Sequence, residues 1–206
     1  MSGSRTVLIV GIVIALVAGA VAAAVFLPGL LSGGTEEFSA ADVPFTFEYP
    51  SRLRRVTKEN RAEFGFDQDD GVPEKYNVVA LAEKGSNDSI FLLGVSRMPG
   101  EKELDQESWD RLKQVGIDST NSKVAKLREQ GLTVEGPRFQ DEQVGGMRAS
   151  TIFTSYYNSN AAAEDGQVLI DAGAQRYLMD FLHMTTGGRA DSATFDEIVD
   201  SLEVGK

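Results

Sequence analysis

The sequence predicts an α+β domain: a mostly antiparallel sheet sandwiched between helices (α/β/α), behind one N-terminal transmembrane helix. Three observations carry this. The first 35 residues hold one charged side chain, Arg5, while the rest carries 19 basic and 31 acidic residues, a net −12. Alternating apolar segments joined by Gly-rich or Asn-rich turns read as hairpins, hence antiparallel pairing. The last strand-like segment is apolar at both parities, so both sheet faces need cover, and an amphipathic helix follows it.

Residues 6–31 are almost unbroken apolar, TVLIVGIVIALVAGAVAAAVFLPGLL. About 20 such residues cross a bilayer core as a helix. Residues 1–5 read as a cytoplasmic N-terminus, 6–31 as the anchor, 32–42 as a polar linker and 43–206 as an extracytoplasmic domain. Arg5 precedes the run, whereas Glu36 and Glu37 follow it and the next basic residue is Arg52; basic excess marks the cytoplasmic side. This gives a single-pass cell-membrane protein with its N-terminus inside. Small-x-small triplets at Ala18–Ala20 and Ala22–Ala24 also allow a cleaved signal and a secreted product. Gly11, Ala15, Gly19 and Ala23 fall on one helix stripe, a spacing that suits a homodimer through the transmembrane helix.

The domain elements follow in order. Phe45 to Tyr49 alternates aromatic and polar and stops at Pro50, a half-buried strand. Glu63 to Asp67 reads as a short strand, 67–73 as a loop, Tyr76 to Glu83 as a strand, Gly85 to Asp88 as a hairpin turn and Ser89 to Met98 as a strand. Asp105 caps a helix, with Leu104 and Trp109 as its hydrophobic staple and Leu112 and Val115 continuing the stripe. A second helix is expected from about Thr120 to Gln130, burying Val124 and Leu127 and stopped by Gly131. Strands resume at Glu135–Gln140 and Met147–Tyr157 around a Gly145–Gly146 turn, then at Gly166–Ala172 and Gln175–Thr185. In the last of these, Leu178, Leu182 and Met184 face one way, and Tyr177, Met179, Phe181 and His183 the other. Phe195, Ile198, Val199 and Leu202 form the apolar stripe of the closing helix, capped by Asp191 or Ser192.

Two of these segments carry a family resemblance. The opening strand Phe45-x-Phe47-x-Tyr49-Pro50 and the closing Phe195-x-x-Ile198-x-x-Ser201-Leu202-x-Val204 resemble the PsbP-like superfamily, which includes LpqN-type bacterial envelope proteins. The resemblance covers about residues 42–205. It implies an α/β/α sandwich and a non-catalytic adaptor or assembly role, and it transfers no site residue. Leu53 stands where members often have Trp after Tyr-Pro, and an apolar helix replaces the lipoprotein cysteine.

Composition excludes several chemistries. Cysteine is absent, which removes disulfides, thiolate zinc sites and lipidated cysteine. An acidic chain with pI near 4.6 is a poor nucleic-acid binder. His183 is the lone histidine, so any Ser-His-Asp site must use it, with Asp171 or Asp180 as orienter; strand alternation turns Asp180 to the opposite face. No G-x-S-x-G elbow is present. Asp67, Asp69, Asp70 and Glu74 make an acidic loop, but Gly71 and Val78 break calcium-loop spacing. Arg52, Arg54, Arg55, Lys58 and Arg61 form the one basic cluster, suited to anionic headgroups or an acidic partner, or else paired with Glu48, Glu59 and Glu63. Tyr156 and Tyr157, leading into a flexible Asn158–Ala161 loop, suit protein contacts or a plain cross-strand pair. Gly187-Gly188-Arg189 precedes the final helix as an anion site or a simple turn.

The resulting expectation is a membrane-anchored, non-enzymatic extracytoplasmic module. It needs no cofactor or metal and binds another envelope or membrane protein, or an envelope component, in an adaptor, assembly or sensing role. The alternatives are an envelope hydrolase or metal-dependent enzyme using His183 or the acidic loop, and a secreted binding protein.

Overall fold

The computed structural model describes residues 34–85, 89–100, 103–186, 190 and 192–204. The apolar run 6–31, its stripe of Gly11, Ala15, Gly19 and Ala23, and Gly187–Arg189 lie outside the described residues. Among the described residues no helix is long and apolar enough to cross a membrane.

Ten strands are described: β1 Thr35–Phe38, β2 Phe45–Pro50, β3 Arg54–Arg55, β4 Val79–Lys84, β5 Ile90–Arg97, β6 Thr133–Val144, β7 Met147–Tyr157, β8 Ala162–Ala172, β9 Gln175–Thr185 and β10 Glu203–Val204. Two helices accompany them, α1 Gln106–Glu129 and α2 Ala193–Asp200. The main sheet has the order β3-β4-β5-β9-β8-β7-β6, and a small sheet has the order β1-β2-β10. Every pairing is antiparallel. After β5 the chain runs through α1 to the far edge, then meanders back until β9 lies beside β5.

The two faces of the main sheet are covered differently. On one face Tyr177, Met179, Phe181, Val168 and Ile170 meet Phe45, Phe47 and the α2 residues Phe195 and Ile198 in the principal core. Phe181 stacks on Phe195 at 4.3 Å between centroids. Cover here is therefore one short helix plus the small sheet, where the sequence pointed to helices alone. On the other face α1 packs over β6 and β7. The segment between β3 and β4 folds down over β4 and β5, with Val56, Phe64, Phe66, Val72 and Tyr76 on Ala80, Ala82 and Leu92.

Several expected elements change. The two expected helices are one, from Gln106 to Glu129. Asp105 caps it by accepting a hydrogen bond from the Ser108 amide at 2.8 Å, which holds that carboxyl below the ordinary range. Gly116 is a point of approach and not a break: a Cβ there would come within 3.3 Å of Ile152 on β7. Trp109 is buried beneath the Arg148 guanidinium, 4.6 Å from the ring centroid. Arg148 also binds Asp171 and the Leu104 carbonyl, fixing the helix start to the sheet.

Glu63 to Asp67 is not a strand. Arg61–Phe64 forms a 3-10 turn ending in a left-handed Gly65, which rolls Phe64 into the core. The stretch 32–42, read as linker, contains β1. Its exposed TEEF sequence has no apolar periodicity, and it is ordered by pairing with β2. Phe38 stacks on Phe47 at 4.8 Å. β10 likewise escapes prediction as two exposed residues on β2. β6 is longer than expected and carries a register shift between Glu135 and Arg138, at Gly136-Pro137. A proline there suits an edge strand.

Candidate functional site

The basic residues follow β2 at the end of the sheet where the chain enters from residues 1–33. The Ser51 amide donates to the Gly34 carbonyl at 2.8 Å, setting Arg52, Arg54 and Arg55 beside that entry. Four of the five cations are matched by carboxylates. Arg52 pairs with Glu83 and hydrogen-bonds Thr194, Arg54 pairs with Glu63, and Arg61 and Lys58 share Glu74 at 3.2 and 3.8 Å. Arg55 forms no ion pair among the described residues. Glu63 is the one partner that the sequence reading named.

The acidic loop spends its carboxylates on its own backbone. Asp67 accepts from the amides of Asp69 and Asp70, and Asp70 accepts from that of Asp67. Among the described residues no group of three or more His, Asp or Glu is arranged to hold a metal.

His183 is half-buried, with its Nε2 3.2 Å from the Ser89 hydroxyl and its ring tilted against Phe91. Glu164 lies opposite it across β8 and pairs with Arg138 at 3.1 Å. Asp171 is engaged by Arg148, and Asp180 stands on the other face. Neither aspartate therefore orients His183. Tyr156 turns inward beside Asp165, while exposed Tyr157 donates to Glu135 at 3.3 Å. The following loop is a tight turn: Asn158 donates to the Ala161 carbonyl, and its side chain accepts from Asn160 and Ala161.

One constellation was not anticipated. Between α1 and the β3–β4 segment, the face of β9 and β8 carries three cross-strand rows: Ser96, Leu178 and Leu169; Gly94, Asp180 and Gln167; Leu92, Leu182 and Asp165. Leu169, Leu178 and Leu182 are only half-buried, whereas Val168 and Met179 behind them are fully buried. The result is a groove with a leucine floor and a carboxylate at its centre.

The walls come from distant parts of the chain. On one side the Tyr76 ring lies flat over Gly94, where a Cβ would sit 2.1 Å from the ring, so only glycine permits this wall. Lys75 lies over the same ring at 4.7 Å, and its carbonyl is held by Ser96. On the other side Lys123 of α1 pairs with Asp165 and lies 5.4 Å from the Tyr156 ring. Both lysines act on Asp180 electrostatically, yet neither forms an ion pair with it. Asp180 accepts one hydrogen bond, from the Gln167 amide at 2.7 Å. Burial pushes its carboxyl above the ordinary range, against the pull of Lys75, Gln167 and Lys123 and with a small push from Asp165. Burial also raises the phenols of Tyr76 and Tyr156, helped by Asp180 and Asp165 respectively. An aspartate between two leucines on one strand face, Leu178-x-Asp180-x-Leu182, was the signal available in the sequence.

With this geometry in hand, comparison with known proteins gives a fold. No family model matches the sequence, and no curated protein matches it. Among solved structures, the cyanobacterial PsbP (CyanoP) of Synechocystis is similar at 16% identity and a TM-score of 0.50, covering 89% of this chain and 98% of its own. A Bacteroides thetaiotaomicron protein is similar at 12% identity and 0.45, over 82% of this chain and 48% of its own. LpqN, involved in cell envelope biogenesis of Mycobacterium tuberculosis, is similar at 12% identity and 0.38, over 84% and 92%. The first likeness shows a PsbP-like α+β fold.

Proposed function

We propose that this chain is a non-catalytic binding module, tethered to the cell membrane by residues 6–31 and displayed outside the cytoplasm. It holds a protein or envelope component against the groove between α1 and the β3–β4 segment. The observation that carries the reading is that groove. Leucines on β8 and β9 stay half-buried beside a carboxylate that forms no ion pair among the described residues, a costly arrangement unless something else uses it.

The tether is supported by sequence and by where the fold begins. Only residues 32–34 separate Leu31 from β1, and three residues span at most about 10 Å. The domain then sits against the bilayer surface, with Arg55 at the near end to meet anionic headgroups.

Site-specific photocrosslinking in native membranes tests the reading. A photoreactive residue at Gln167 captures a discrete partner that the same residue at Val115, exposed on the outer side of α1, does not. Identical adducts from the two positions contradict it.

A further inference from the structure

The groove's chemistry selects its occupant. The floor offers three half-buried leucines around the Asp180 carboxylate. Gln167 supplies that carboxylate with one neutral hydrogen bond. Lys123 is committed to Asp165, and Lys75 to the Tyr76 face. A carboxylate taken from water wants a paired cation, and charge-assisted hydrogen bonds are the strong ones. Lys75 and Lys123 act on Asp180 from the two walls without forming an ion pair with it, so the direct ion-pair position is open to a cation from outside. The phenol-bearing rings of Tyr76 and Tyr156 form apolar walls suited to a methylene chain leading to a charged tip.

We infer that the groove binds a partner protein segment through a lysine side chain, with its ammonium on Asp180 and its stem over Leu178, Leu182 and Tyr76. The inference rests on the binding-module reading above and narrows it to one chemistry. The chain's net charge of −11 favours encounter with such a basic segment. A lysine meets the Asp180 carboxylate as an opposite charge, whereas an aspartate or glutamate in the same position meets it as a like charge.

Three capped peptides separate the outcomes on the full-length protein in detergent: Ac-Leu-Lys-Leu-NH2, its norleucine analogue and its glutamate analogue. Binding is read by calorimetry and by amide shifts of residues 165–169 and 178–182. The lysine peptide is expected to bind about tenfold more tightly than the norleucine peptide, the usual scale for a charge-assisted contact. Asp180→Asn, which keeps an oxygen for Gln167, removes that difference. Val115→Ala, on the exposed outer side of α1, preserves it. Equal binding of the lysine and norleucine peptides to the unaltered protein, with groove amides shifting, keeps the groove but overturns the lysine inference. Tighter binding of the glutamate peptide overturns it as well. No shift at any groove amide with all three peptides overturns the groove reading itself.

Discussion

At the residue scale, Asp180 decides most. Its carboxyl titrates above the ordinary aspartate value of 3.8 because burial penalises its charge. The native state therefore holds this proton more tightly than the unfolded chain does. Stability from that preference is fully present below the ordinary value and is lost as pH rises through the native one. Asp180→Asn should thus raise the unfolding midpoint at neutral pH, and the gain should shrink toward zero on acidification to about pH 3. Thermal melts across that range check it; a gain that grows with acid contradicts the assignment. His183 offers the contrast. It is anchored to Ser89 and Phe91 and distant in role from the groove, so His183→Ala should cost about 1 kcal/mol of stability and leave photocapture at Gln167 unchanged. The histidine's place on the opposite face from Asp180 was readable from strand parity. Asp180's environment was not, because Tyr76 and Lys123 reach it from about a hundred and about sixty residues away in the chain.

At the element scale, α1 and the β3–β4 segment set the groove's width. α1 is held at its start by Trp109 under Arg148, which ties the helix to Asp171. Trp109→Ala should cost about 3–5 kcal/mol in chemical denaturation, and Trp109→Phe distinctly less. The opposite wall depends on Gly94. Gly94→Ala drives a methyl group into the Tyr76 ring and should cost about 1–3 kcal/mol. In a Tyr76→Ala background the same change should cost little, a coupling that a double-mutant cycle reads directly. The long periodic strands β7 and β9 were legible because alternation was sustained, whereas β8 was read only from Gly166 because Ala162 to Asp165 carries no apolar alternation. β1 and β10 were not, because they are short, exposed and ordered by β2 rather than by their own side chains. The expected split of α1 does not occur: the polar stretch after Val115 stays helical, and Gly116 within it is a packing contact against Ile152.

At the scale of the whole molecule, the sequence reads as an apolar segment followed by an acidic antiparallel α+β domain, and the described residues form such a domain with a PsbP-like fold. Layer cover was only partly legible. Strand β9 is apolar at both parities, which demanded cover on both faces, but nothing local told where each covering element would stop. α1 reaches the far edge of the sheet and the β3–β4 segment its near edge, and the strip left between them is a property of the assembled fold. The chain entry and Arg52 to Arg55 lie together at one end of the domain.

Because the sequence holds no cysteine, single introduced cysteines read the display and the groove directly. Single cysteines at Leu178, at exposed Val115 and at buried Met179 can be challenged in intact cells with a membrane-impermeant maleimide. Labelling is expected to be rapid at Val115, slow at Leu178 until the domain is solubilised away from its partner, and absent at Met179 without denaturant. Failure of Val115 to label until cells are broken would contradict the extracytoplasmic display. Leu178 as inert as Met179 after solubilisation would contradict the open groove.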